Sequence, residues 1–184
     1  MATDSFWQAA FSSTTGQWNT PPELVAEMRP VFTWDADVCA DEANVCTLFY
    51  SPDEDGLAQT WRGLCWMNPP YGRAIGSWTQ KAAASSQATV VALLPARTET
   101  AWWQDTVCTA SQVVFIRGRL AFGSNAYWQW RWETQVIDGK KNNLYGRHGQ
   151  KQSAPFPSAF VVWGNLSKLK RDFLSSYGLT MEGA

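Results

Sequence analysis

The sequence predicts an α/β sandwich: a mostly parallel sheet, helices on its faces and binding loops at the carboxyl ends of the strands. Three observations predict it. Short apolar, β-branched runs alternate with helical patterns, which calls for crossover connections. Thr89 to Leu94 is apolar without alternation, the pattern of a strand buried on both faces. The 184 residues suit one domain, which at this size buries roughly 70% of the surface its unfolded chain exposes.

The elements follow in order. Residues 1 to 17 are polar and Ser/Thr-rich and read as a loose arm, which leaves 18 to 184 as a single domain. Thr20-Pro21-Pro22-Glu23 opens a helix to about Met28, with Thr as cap, Pro in the first turn and Glu completing a capping box. Val31 to Cys39 reads as a strand, followed by a loop rich in Asp and Asn. Leu48 to Trp61 is irregular, punctuated by Ser51-Pro52-Asp53 and Asp55-Gly56. Leu64 to Asn68 is a short buried strand ending in Pro-Pro. Ala74 to Ser86 is a helix with Ile75, Trp78 and Ala82 on one face. After the strand Thr89 to Leu94, Thr98 caps a helix to about Ala110. Val113 to Ile116 and Ala159 to Trp163 are further strands, and Leu166 to Ser176 is a closing helix.

Composition narrows the class. Hydrophobic residues at 45% and charged residues at 17% describe a globular chain, not a disordered one. The net charge of −1 carries no global sign of nucleic-acid binding, so any basic surface is local. Twelve tryptophans are hard to bury completely, and exposed rings suit stacking on bases. No apolar run is long enough for a membrane span. Met1 to Ala10 lacks the basic start and apolar stretch of a signal peptide, so a cytoplasmic protein with no membrane partner is expected. Cys39, Cys46, Cys65 and Cys108 form no CxxC pair. Free thiols in a reducing compartment are expected, and no metal.

Residues 123 to 154 break the strand–helix rhythm. Arg131, Lys140, Lys141, Arg147 and Lys151 stand against Glu133 and Asp138, a net +3, with Tyr127, Trp128, Trp130, Trp132 and Tyr145 interleaved. Long excursions in compact domains are usually functional or disordered. Basic residues with aromatics suit phosphate contact and base stacking, so the segment is expected to be an inserted DNA-recognition element. A Trp-rich hairpin with solvated lysines is the plain structural alternative. His148, the only histidine, lies here and reads as a DNA or solvent contact, not a catalyst.

Asn68-Pro69-Pro70-Tyr71 carries the chemistry. It sits between a strand and a helix, where open α/β sheets bind ligands. The prolines remove backbone donors and stiffen the turn. The Asn68 side-chain oxygen and the Pro69 carbonyl can then act as paired acceptors for the two N–H groups of a planar amine. Holding both turns the nitrogen lone pair towards an electrophilic methyl group, and Tyr71 offers a flat face to the ring. Positioning and electrostatics would do most of the work. The motif alone does not name the amine: glutamine amides of proteins and guanine amino groups of RNA remain open beside adenine.

In order along the chain, the motifs resemble the phage and prophage family of DNA N6-adenine methyltransferases, the Dam-like phage family. The match runs from Trp18 to Trp163. It includes Thr20-Pro21, Asp35-x-Asp37-x-Cys39-Ala40, Asp55-Gly56-Leu57, Asn68-Pro69-Pro70-Tyr71-Gly72, Leu94-Pro95-Ala96-Arg97-Thr98, Gly118-Arg119-Leu120 and Ala154-Pro155-Phe156-Pro157-Ser158. The resemblance implies a reduced, Rossmann-like S-adenosylmethionine-dependent fold and duplex DNA as partner. It implies adenine N6 as acceptor, within a short motif such as GATC, in a bacterial host cell. Asn68 to Tyr71 are the catalytic candidates. Thr20 and Pro21 match where relatives hold the methionine part of the cofactor. Asp35, Asp37, Cys39, Ala40 and Asp55 are further cofactor candidates, since a carboxylate there can hold an amino group or ribose hydroxyls. Arg97, Arg119, Trp128, Trp130, Arg131, Lys140, Lys141, Asn142 and Arg147 are the DNA-binding candidates, with the target base flipped from the duplex.

The chain departs from the wider methyltransferase pattern at two points. No Gly-x-Gly turn follows Val31 to Cys39, and only about thirty residues separate Asp37 from Asn68. A shortened cofactor pocket follows. RNA or protein-amide methylation, or a catalytically silent DNA-binding module, are the competing readings.

Overall fold

The computed structural model describes residues 19–40, 45–122, 152–154 and 156–183. Six strands form one mixed sheet: β1 (Ala36–Asp37), β2 (Gly63–Met67), β3 (Ala88–Pro95), β4 (Gln112–Ile116), β7 (Ser158–Trp163) and β8 (Gly178–Glu182), in the order β1-β2-β3-β7-β4-β8. Two further strands, β5 (Ala121–Phe122) and β6 (Gln152–Ser153), pair with each other. The helices are α1 (Pro22–Met28), α2 (Ile75–Ala84), α3 (Ala101–Thr106) and α4 (Lys168–Ser175), with a 3₁₀ turn at Val107–Thr109.

The sheet is less parallel than expected. β1, β2 and β3 run parallel, but β7 lies antiparallel between β3 and β4, and β8 is antiparallel to β4. Two helical crossovers, through α2 and α3, keep β2, β3 and β4 in one direction, as alternation demands. The connection from β4 to β7 is different. It leaves and re-enters at the same edge of the sheet, since Ser158 at the start of β7 pairs with Pro95 at the end of β3. A chain returning from the edge it left must run antiparallel.

Each face of the sheet carries its own apolar layer. Val90, Ala92, Leu94, Ala159 and Val161 pack with Ile75, Trp78 and Ala82 of α2 and Trp103 of α3. Val91, Leu93, Phe160, Val162 and Val114 pack with Leu24 and Met28 of α1 and Leu174 of α4. The alternation along β3 and β7 is the period-two rule applied to strands covered on both sides. Each fully buried side chain of this size contributes about 1.5–3 kcal/mol.

Three local expectations change. The strand read over 31 to 39 shrinks to Ala36–Asp37. Phe32 and Trp34 instead stack on each other at 4.6 Å and pack on Trp66 and Phe173, laying the chain over the sheet face. Thr20 does not cap α1: Pro21 occupies that position and no side chain caps the helix. Thr98 does not cap α3, which starts after Thr100. β8 is an addition to the sequence reading. It is an edge strand with exposed Leu179 and Met181, lacking the buried apolar run of the central strands. Among the described residues, no helix is long and apolar enough to cross a membrane, and no group of three His, Cys, Asp or Glu side chains is placed to hold a metal ion.

Candidate active site

Strand ends build the site. The carboxyl ends of β1 and β2 deliver Val38-Cys39-Ala40 and Asn68-Pro69-Pro70-Tyr71 side by side, and the loop 50–57 folds against both. Between them lies a cleft of about 150 Å³, the size of cavity that accepts an aromatic ring. Its lining brings Cys39, Ala40 and Asp55 together with Asn68 and Pro70, residues up to about thirty positions apart in the chain. Asn19, Tyr50, Ser51, Pro52, Gly56 and Trp78 complete it. Sequence reasoning missed these six. Gly56 and Trp78 carried a signal, since one sits in a turn dipeptide and the other on the apolar face of α2. Tyr50 carried none.

The loop that forms one wall is held from several sides. Trp61 donates its indole N–H to the Gly56 carbonyl at 2.8 Å, and Lys81 donates to the Leu57 carbonyl at 2.8 Å while lying over the Trp61 ring. Tyr50 N–H donates to Asp37 O, and Ala40 N–H to Tyr50 O, which stitches the loop to β1. Asp55 stands at φ 48 and accepts the Leu57 N–H at 3.1 Å. A non-glycine residue in that left-handed region is uncommon and marks a functional candidate.

Asn68 is fixed on both sides. Its Nδ2 donates to Thr20 Oγ1 at 3.2 Å, and its Oδ1 lies 2.8 Å from the Tyr71 hydroxyl. That hydroxyl is also 3.0 Å from the Leu93 carbonyl, so one proton is shared between two acceptors. Burial holds the Tyr71 hydroxyl well above its usual range, so it stays protonated and a donor. Pro69 is buried and does not itself line the cleft; among the described residues its carbonyl accepts no hydrogen bond, whereas Pro70 O accepts from Gly72 N–H at 2.9 Å.

The structure revises several expected roles. Tyr71 is buried, edge-on to Phe156 at 5.5 Å, and does not line the cleft, so its ring offers no open face for stacking. Thr20 is buried beneath the motif and Pro21 occupies the cap position of α1; neither lines the cleft, although their neighbour Asn19 does. Asp35 lies at the opposite end of β2, where it accepts the Leu64 N–H at 2.7 Å. Gly63 stands beside it at φ +69, and a Cβ there would meet the Asp35 carboxylate at 2.2 Å, so both its backbone and its neighbour call for glycine. Asp35 therefore anchors the start of a strand. Arg119 donates to the Ala154 carbonyl at 2.9 Å, which closes the base of the β5–β6 pair, although the residue stays exposed. Arg97 is half-buried at the end of β3. Trp128, Trp130, Arg131, Lys140, Lys141, Asn142 and Arg147 lie outside the described residues.

Asp37 is buried beneath the cleft wall, with Oδ1 accepting the Cys39 N–H at 3.3 Å. Burial pushes its carboxyl up from 3.8 to about 7, partly offset by that backbone bond. A raised carboxyl binds its proton more tightly folded than unfolded. Its contribution is therefore fully present below about pH 4 and is lost as pH rises through about 7. Chemical denaturation of Asp37→Asn across pH 4 to 8 should show a flatter stability profile than the wild-type fall. Parallel profiles would remove Asp37 as the source.

The strand-end turn and its adjoining cleft sit in a mixed α/β protein. The family model for DNA N-6-adenine-methyltransferase (Dam) matches residues 9–162. A DNA N-6-adenine-methyltransferase of Escherichia phage T1 is 31% identical over 154 residues, covering 80% of this chain and 58% of that protein. Another, from Haemophilus phage HP1 (strain HP1c1), is 35% identical over 116 residues, covering 59% of this chain and 66% of that protein. The matched part is thus less than two thirds of either relative's length. No solved structure matches the chain. The chain belongs to the DNA N-6-adenine-methyltransferase (Dam) family.

Proposed function

We propose that the protein methylates N6 of adenine in duplex DNA, with S-adenosylmethionine as donor and a short motif such as GATC as target. The observation that carries this reading is the cleft itself: Asn68, with its amide already oriented, borders the same space as Cys39, Ala40 and Asp55.

The residues fit the cofactor's chemistry in a reduced, Rossmann-like site. Asp55 is an exposed carboxylate suited to ribose hydroxyls, and Tyr50, Pro52 and Trp78 offer apolar walls for a purine. When bound, S-adenosylmethionine supplies an electrophilic methyl group. Asn68 Oδ1 and the Pro69 carbonyl take the two N–H donors of the target amine. That grip turns the nitrogen lone pair out of the ring plane, towards the methyl carbon. As the N–C bond forms and the methyl's bond to sulfur breaks, S-adenosylhomocysteine would be left, and the nitrogen, made acidic by methylation, would pass its proton to water without a strong base. The rate advantage comes from placement and from fixed dipoles.

DNA as partner is supported by the edge on which the cleft opens. Arg73, Arg97, Arg117 and Arg119 follow β2, β3 and β4 there. Arg73 and Arg117 are exposed and engage no acid or carbonyl among the described residues through their side chains. β2 and β4 are three strand spacings apart, about 14 Å, or about four base-pair rises of duplex. The base reaches the cleft by flipping. Such an enzyme works on DNA in the bacterial cytoplasm, encoded by a phage or prophage.

Expression in a methylation-deficient bacterial host, followed by long-read sequencing, tests the proposal. N6-methyladenine confined to one short motif is the expected outcome. An unmodified genome in the presence of soluble protein would overturn it, in favour of an RNA or protein-amide acceptor or a silent binding module.

A further inference from the structure

We infer that Thr20 is a positioning residue for methyl transfer, its hydroxyl anchoring the Asn68 side chain at the edge of the cleft. The inference rests on the role proposed above for Asn68. It starts from Trp66, fully buried on β2 and packed edge-on or tilted against Trp34 and Phe160. Its indole N–H can only donate. It points at Thr20 Oγ1, 3.0 Å away, so Thr20 must accept.

The second acceptor site of that oxygen takes Asn68 Nδ2 at 3.2 Å. Thr20 itself is only 4% exposed, so no bulk water replaces either contact. The contact tethers the amide by its Nδ2 end to an oxygen that Trp66 holds in place. With the NH₂ end committed to Thr20, Oδ1 is turned to the Tyr71 side, 2.8 Å from that hydroxyl. Oδ1 has two acceptor sites, so contact with Tyr71 and with a substrate amine are compatible.

Thr20 is separated from Asn68 by 48 positions, so only the tertiary structure shows the link. Both acceptor sites of its oxygen are engaged by Trp66 and Asn68, which limits Thr20 to donating towards any cofactor group.

Thr20→Val keeps the shape and removes the acceptor. It is expected to lower kcat about 10²-fold, the scale of a misplaced reacting group. The Kd for S-adenosylhomocysteine should stay within about threefold of wild type. Thr20→Ser should restore most of kcat. In the Asn68→Ala background, Thr20→Val should add little further loss, because the two act through one group. Where valine fails to fold, Thr20→Ala carries the same comparison with a smaller side chain. Weakened S-adenosylhomocysteine binding with kcat intact would overturn the inference and make Thr20 a cofactor contact. Full activity in Thr20→Val with activity lost in Asn68→Ala would overturn it alone. Full activity in Asn68→Ala would overturn the proposed role of Asn68 and this inference with it.

Discussion

Asn68→Ala is expected to lower methyl transfer by about 10²–10³-fold, the cost of losing one preorganised polar group at a reacting centre. The side chain is half-buried, borders the cleft and is held by Thr20 and Tyr71. Its removal takes away an acceptor whose orientation was settled before substrate arrives. Duplex binding should survive, because the exposed arginines at the sheet edge are untouched. Single-turnover kinetics with saturating DNA and cofactor separate the two effects. Activity within tenfold of wild type would show that the Asn68 oxygen does not hold the amine. Loss of duplex affinity in proportion to the loss of turnover would make the residue a binding determinant instead.

Gly56→Ala should produce the second large effect, on stability and cofactor binding together. A Cβ at Gly56 would lie 2.0 Å from the Val38 carbonyl oxygen and 3.1 Å from the Trp78 ring. Neither neighbour yields easily: Val38 is fully buried backbone at the end of β1, and Trp78 is stacked on Trp61. The loop must lift away, and the cleft lies between that loop and residues 39–40. Overpacking of this kind costs about 3 kcal/mol, or about 6–12 °C in Tm for a domain of this size. Thermal unfolding and calorimetric titration with S-adenosylhomocysteine measure the two consequences. A variant with wild-type Tm and wild-type affinity would show that the close approach at Gly56 is not required.

Much of the fold was legible because its signals are local. The continuous apolar run of β3, the facing residues Ile75, Trp78 and Ala82 of α2, and the position of Asn68-Pro69-Pro70-Tyr71 at the end of a strand all follow from periodicity and turn chemistry. Cys39, Ala40 and Asp55 entered as cofactor candidates through the resemblance of their motifs, and the structure gathers them around one cleft with Asn68. Tyr71 was legible as a motif member but not as a buried one, because burial depends on Phe156 arriving from far along the chain.

By itself, then, the sequence determined the central strands β2, β3, β4 and β7, the four helices, and the place of the Asn68–Tyr71 turn after a strand, since those depend on neighbours a few residues apart. The tertiary structure alone decided three things. It decided that β7 enters antiparallel between β3 and β4, because the chain comes back from the edge it left. It decided that Asp35 secures the start of a strand while Asp37 lies buried beneath the cleft, because two residues of extended chain set them about 7 Å apart along the strand. And it decided that the Thr20 hydroxyl serves Asn68 and not its own helix, because folding brings a buried indole donor and a side-chain amide within reach of one oxygen.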